Sequence, residues 1–89
     1  MLYEFDHEKS EANLAKHRVA MTEVQGFEWE TAKVREDDRK RYAECRYEAL
    51  GFIEGRLHVL VFCHRAEKLR VISLRKANLR EVSRYANEN

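Results

Sequence analysis

The sequence predicts an α+β fold in which helices occupy the two ends of the chain and antiparallel strands fill the middle. Three observations carry this expectation. Apolar residues recur at helical spacing near both termini. Alternation of period two takes over at Thr31 and persists, with interruptions, to Leu74. Two of those interruptions, Glu54-Gly55 and Ala66-Glu67, have the length of hairpin turns. Strands and helices grouped in this way along a chain are the mark of α+β folds.

Each element follows from local chemistry. Leu2 to Phe5 forms a short strand, and Asp6 or His7 opens a helix at about 7–17, with Ala12, Ala15 and Val19 toward a core. Thr22 is positioned to cap a second helix over 20–28 with Gln25 reaching back, and Val24, Phe27 and Trp29 give it something to bury. From Thr31, Ala32 and Val34 alternate with Lys33 and Arg35, and Glu36-Asp37-Asp38-Arg39-Lys40 reads as a solvated turn. A strand from Tyr42 to Ile53 sets Ala43, Cys45, Tyr47 and Ala49 against Glu44, Arg46 and Glu48. Leu57 to Cys63 is apolar at nearly every position, as a central strand covered on both faces must be. Leu69 to Leu74 is the last strand. A C-terminal helix then carries Leu79, Val82 and Ala86 on one face and a basic stripe, Lys76, Arg80 and Arg84, on another. The order is a short N-terminal strand, two helices, a four-stranded antiparallel sheet segment and a C-terminal helix, which is a RelE-like plan.

Composition narrows the function classes. The 89 residues are expected to form one domain, 1–89, and 44% hydrophobic residues argue against disorder. Lys plus Arg (17) nearly balance Asp plus Glu (16), so a nucleic-acid partner must be gripped by a local basic patch. The N-terminus lacks the basic start and apolar run of a signal peptide, and no stretch is apolar for long enough to span a membrane; a cytoplasmic location is expected. Cys45 and Cys63 are too few for a disulfide framework or a zinc site, and no cofactor or metal is expected. His7 and His58 have no companion at metal-ligand spacing. Trp29, Phe27, Phe5 and Phe62 lie in apolar contexts and read as core.

The Glu54-Gly55 turn also fixes a register. It places Cys45 opposite His64, Arg46 opposite Cys63 and Glu44 opposite Arg65, so the cysteines lie on different faces and cannot join. Glu44, Arg46 and Arg65 then share a face, and a tight turn at Ala66-Glu67 adds Arg70 opposite Cys63. One reading is a solvated set of cross-strand ion pairs. The other is an anion site, because Glu44 can neutralise only one of three guanidiniums.

Asn13-Leu14-Ala15-Lys16-His17-Arg18-Val19 and Arg70-Val71-Ile72-Ser73-Leu74-Arg75-Lys76-Ala77 resemble the BrnT family of toxins from type II toxin–antitoxin systems. The resemblance continues through Arg46, Tyr47, Ala49-Leu50-Gly51, Gly55-Arg56-Leu57, Val59-Leu60-Val61, Arg65, Arg80-Glu81 and Arg84-Tyr85, covering most of the chain in order. Arg18 stands where the family usually has glycine, and residues 28–41 match weakly. The resemblance implies a RelE-like fold and a ribonuclease activity that arrests translation. It further implies neutralisation by a BrnA-type ribbon-helix-helix antitoxin, two toxins being bridged by an antitoxin dimer that alone touches operator DNA.

Metal-independent RNA cleavage needs a base for the ribose 2′-OH, cations for the phosphorane-like transition state and an acid for the leaving 5′-oxygen. Arg46, Arg65 and Arg75 are the candidates to hold the phosphate. His17, Lys16, Tyr85 and Glu44 are the candidates for proton transfer, and Arg70, Lys76, Arg80 and Arg84 for substrate binding. Each has a bland alternative: His17 and Lys16 end a helix, where positive charge is favoured anyway, Tyr85 can simply pack on the sheet, and Arg75-Lys76 with Arg80 and Arg84 can equally bind an acidic antitoxin segment or stay solvated. His64 falls, by register, on the face opposite Arg65 and stays outside the site. A second class also fits the sequence, a non-catalytic module that binds its antitoxin and co-represses an operon. A direct DNA-binding repressor fits least, since the terminal helix has no helix-turn-helix partner.

Overall fold

The computed structural model describes residues 1–88. The elements are β1 (Tyr3–Glu4), α1 (His7–His17), two 3-10 turns (Met21–Gly26 and Trp29–Thr31), β2 (Lys33–Asp37), β3 (Arg46–Ile53), β4 (Arg56–Arg65), β5 (Lys68–Lys76) and α2 (Leu79–Asn87). The α+β class holds. The sheet has five strands rather than four, in the order β1-β5-β4-β3-β2, because β1 joins β5 in parallel and makes the sheet mixed. No helix of the described residues is long and apolar enough to cross a membrane.

α1 begins and ends where the sequence predicts. Asp6 accepts a hydrogen bond from the Glu8 N–H at 2.9 Å, and Arg18 closes the helix in the left-handed region (φ 61°), its N–H reaching the Leu14 carbonyl. The inward residue is not the expected Ala12 or Ala15, both exposed, but Asn13. Beyond it Val19, Met21, Val24 and Phe27 pack on Ala49, Ile53, Leu60, Phe62, Leu69, Val71 and Leu74 of the sheet. Trp29 packs on this core too, edge-on to Phe27 and Phe62, its indole N–H donating to the Tyr3 hydroxyl at 2.6 Å.

The expected second helix over 20–28 is instead a pair of short 3-10 turns, and the cap differs as well. Glu23, not Gln25, reaches back, accepting from the Ala20 N–H at 3.2 Å. The strand expected from Tyr42 begins only at Arg46, because β2 runs on through Asp37 to pair with it, and the turn therefore lies later than the charged cluster suggests. From Leu57 to Cys63 β4 is buried at every position, as a strand covered on both faces should be.

The register of β3 on β4 is the one the Glu54-Gly55 turn dictates, with both turn residues at positive φ and Tyr47 opposite Phe62. Cys63 faces Arg70 across the β4–β5 hairpin, also as expected. One residue further on, the register slips. Phe62 still faces Val71 but Val61 faces Ser73, so Ile72 is an extra residue on β5. A one-residue slip exchanges the faces of everything beyond it. Leu74 therefore joins the α1-side core, while Arg75, opposite Val59, turns to the other face.

That other face carries a smaller apolar cluster, Leu50, Leu57, Val59, Val61 and Ala77, flanked by Phe52, Ile72 and Tyr85. α2 lies over it with its polar side inward. Glu81 is buried, whereas Leu79 is 88% and Val82 41% exposed, so the helical period holds but the face expected in the core points outward. The inversion has a polar cause. Asn78 and Glu81 cap the helix reciprocally, Arg75 grips Glu81 through two hydrogen bonds of 2.8 and 2.7 Å, and Arg84 reaches Glu48 at 2.7 Å.

Candidate functional site: an arginine face of the sheet

α2 leaves part of its face of the sheet uncovered, and alternation along the strands decides what stands there. Asp37 pairs with Arg46 and Arg35 with Glu48 across β2–β3, while Cys63 pairs with Arg70 across β4–β5, with Arg65 two residues beyond Cys63. The bulge at Ile72 adds Arg75 to the same face. Five strand arginines thus share one face with Glu48 and Asp37.

These arginines are not equivalent. Glu48, 6% exposed, accepts from Arg35 at 3.2 Å and from Arg84 at 2.7 Å. Arg75 is committed to Glu81, a hydrogen-bonded pairing that raises the guanidinium pKa above its ordinary range and holds the Glu81 carboxyl below its own. Asp37 is taken on both oxygens by Arg39, at 2.8 and 2.9 Å, which lowers the carboxyl pKa. Arg65 and Arg70 have only loose partners, Glu44 at 3.9 Å and Glu4 at 3.8 Å. Arg46 has no carboxylate within ion-pair distance among the described residues, its Nε is buried without an acceptor, and its guanidinium lies 4.1 Å from the centre of the Tyr42 ring. Guanidinium donors for an anion are therefore concentrated at Arg46, Arg65 and Arg70.

The remaining sequence candidates divide. Glu44 lies before β3 rather than in it, yet it stays beside Arg65; the buried Cys63 thiol has its pKa pushed up, first by burial and then by the nearby Glu44 carboxylate. Cys45 is exposed, and both thiols are free. Lys16 and His17 line a shallow cavity of about 220 Å³ with Lys9, Ala12, Asn13, Ile72 and Ser73, at the edge of β5 that β1 leaves unpaired. The His17 pKa is lowered, chiefly by partial burial and then by the charges of Lys16 and Arg75, so its ring is neutral near pH 7. Lys76 falls opposite His58 on the α1 side of the sheet, away from the arginines. Arg80 is exposed on α2. Tyr85 is not brought to the site: its hydroxyl donates to the Thr31 carbonyl at 2.7 Å and its ring packs on Phe52, at the sheet end where β2 begins. Arg84 is held between Glu48 and Glu88.

Glu48, Asp37 and Glu81 organise this surface, and the sequence reading missed them. Glu48 alternates with Glu44 and Arg46 and so reads as solvent-facing. Glu81 had a signal, the Asn78-x-x-Glu81 spacing of a capping box. Asp37 had none, since its partner Arg39 sits in the same charged run. Among the described residues no three His, Cys, Asp or Glu side chains converge as a metal site.

A family described as "Ribonuclease toxin, BrnT, of type II toxin-antitoxin system" matches residues 5–81. No curated protein matches the chain.

Proposed function

As this chain belongs to the BrnT family of ribonuclease toxins of type II toxin–antitoxin systems, we propose that it cleaves RNA without a metal ion and that the arginine face of its sheet holds the substrate. The observation that carries this reading is the uneven neutralisation of that face. Arg35, Arg39, Arg75 and Arg84 are consumed by buried carboxylates, while Arg46, Arg65 and Arg70 keep donors for an anion. A phosphate is the ligand whose paired oxygens match a guanidinium fork.

Cleavage proceeds by attack of the ribose 2′-oxygen on the adjacent phosphorus, forming an O2′–P bond and breaking P–O5′. The neutral His17 imidazole takes the 2′-OH proton, and the neighbouring Lys16 ammonium gives a proton to the departing 5′-oxygen. The products are a 2′,3′-cyclic phosphate and a 5′-hydroxyl. Arg46, Arg65 and Arg70 stabilise the extra negative charge of the pentacoordinate transition state. Glu44 orients Arg65. Loss of RNA would arrest translation in the cytoplasm, and a BrnA-type ribbon-helix-helix antitoxin would restrain the toxin.

One observation favours a second reading. The outward apolar side of α2, with Leu79 and Val82 exposed, suits protein binding, as in a non-catalytic module that only engages its antitoxin. The two are separated by incubating RNA with the purified protein in the presence of a chelator, beside Arg65→Ala and His17→Ala. Metal-independent catalysis predicts cleavage that survives chelation and falls about 100-fold or more in each variant. Intact RNA with antitoxin binding retained would establish the binding module instead.

A further inference from the structure

Beside the arginines, between the end of β2 and the approach to β3, lies a cavity of about 300 Å³ whose lining includes Asp38, Lys40, Tyr42, Glu44 and Arg46. The proposed cleavage chemistry shares Arg46 and Glu44 with this cavity and leaves Tyr42 unused. The cavity wall carries the Arg46 guanidinium over the Tyr42 ring, both half-buried. The pairing exists because Asp37, which faces Arg46 in register, is occupied by Arg39 and cannot pull the guanidinium away. Arg46 Nε is left buried without an acceptor. Single-stranded nucleic acid is bound by platforms of this kind, where bases stack on aromatic rings and guanidinium planes.

The polar groups around the pair select among bases. Of the carboxylates that line the cavity, Asp37 is taken by Arg39, Glu36 and Asp38 stand on the β2 side, and Glu44 offers two acceptor oxygens on the Arg46 side, where Lys40 and the edge of Arg46 offer donors. Guanine presents two adjacent donors, N1–H and the 2-amino group, with the O6 acceptor next to them. Adenine and cytosine set a ring-nitrogen lone pair beside their amino group, and that lone pair would face the carboxylate. Uracil has a single N–H between two carbonyls. We propose that this cavity is a base-recognition subsite that takes guanine, stacked on the Tyr42–Arg46 pair with its Watson–Crick edge on Glu44. The subsite rests on the reading of the arginine face as an RNA site. It places the guanine next to the phosphate on Arg65, since Glu44 Oε1 lies 3.9 Å from the Arg65 guanidinium.

Binding and cleavage test it separately. The full chain is titrated with GMP, IMP and AMP while the ring resonances of Tyr42 are followed by NMR. IMP differs from GMP only in lacking the 2-amino group. GMP is expected to shift the Tyr42 signals and to bind about tenfold or more tightly than IMP or AMP, the scale of one hydrogen bond to a charged group. Glu44→Gln should remove that preference, Tyr42→Ala should weaken all three nucleotides, and Tyr42→Phe should retain binding because the stack needs only the ring. Cut sites on a mixed-sequence RNA should then lie beside guanines. Equal affinities for GMP and AMP, or shifts that bypass Tyr42, would overturn the subsite. If GMP binds at Tyr42 but RNA stays intact, the ribonuclease reading fails and the subsite stands; cleavage with no guanine preference and no GMP binding has the opposite meaning.

Discussion

Replacing Asn13 by alanine removes one side chain and orphans three buried backbone groups. Its amide donates to the Val19 carbonyl at 2.9 Å and to the Leu74 carbonyl at 2.8 Å, and its oxygen accepts from the Leu74 N–H at 3.2 Å. β1 pairs only with Leu69 and Arg70, so further along β5 has no neighbouring strand on that side. Asn13 substitutes for one at Leu74 while tying down the chain just past α1. An unpaired buried polar group costs about 1–3 kcal/mol. Taking the lower end for all three, since water can reach a strand edge, Asn13→Ala should lose about 3 kcal/mol. For a chain of this size that lowers Tm by roughly 12–24 °C. Leu14→Ala, on the neighbouring exposed position, should change stability by less than about 0.5 kcal/mol. Urea denaturation of both variants measures the contrast. A loss under about 1 kcal/mol in Asn13→Ala, the scale of a single ordinary hydrogen bond, would show that Asn13 does not pin β5 and would refute the argument.

Three further outcomes are expected. A Cβ on Gly51 would overlap the Phe27 ring, itself 6% exposed, so Gly51→Ala should lose about 1–3 kcal/mol by overpacking; adding Phe27→Leu should cost less than the two single losses combined, as a double-mutant cycle by thermal melting would show. Arg18 occupies the left-handed C-cap of α1, where a side chain is strained, and Arg18→Gly should raise stability by about 0.5–1 kcal/mol in denaturant titrations. Arg75 depresses the Glu81 pKa below its ordinary 4.5, so the stability this pair contributes is fully present above about pH 4.5 and is lost as pH falls through the lower, folded-state value. Unfolding midpoints measured from pH 7 to pH 3 should drop less steeply for Glu81→Gln than for the native chain, and equal slopes would sink the assignment.

The strands were legible because period and turn chemistry are local. Glu54-Gly55 set the β3–β4 register, and from it came the common face of Arg46 and Cys63; the length of the Ala66-Glu67 turn gave Arg70 opposite Cys63. The bulge at Ile72 was hidden, since an extra β-branched residue in a strand reads as ordinary alternation and its cause is the need to bury Leu74 on the α1 side. The inversion of α2 was hidden for a different reason. Helical period shows that Leu79, Val82 and Ala86 share a face, but the direction of that face depends on Glu48 and Lys33, which belong to strands remote in sequence, and on Arg75, whose side of the sheet is set by the hidden bulge. Asn13 was invisible because a buried asparagine carries no periodic signal and its partners are six and sixty-one residues away.

The same polar contacts that invert α2 determine which arginines remain available to a ligand. Without the slip at Ile72, Arg75 would point to the α1 side, and Glu81 would have no strand partner to draw it inward. With the slip, Arg75 and Arg84 become fasteners of α2 and are unsuited to holding substrate, since releasing either would leave Glu81 or Glu48 as a buried carboxylate short of a partner. Removing one member of such a pair typically costs about 3–5 kcal/mol when it is fully buried, and less here because both arginines are partly exposed. Truncation at Arg75 or Arg84 should therefore lower stability first and RNA binding only as a consequence. Truncation at Arg65, more than half exposed and 3.9 Å from its carboxylate, should leave the melting temperature nearly unchanged while abolishing activity. A thermal melt beside each cleavage assay separates the two classes, and an Arg65→Ala variant that melts early would place Arg65 among the fasteners.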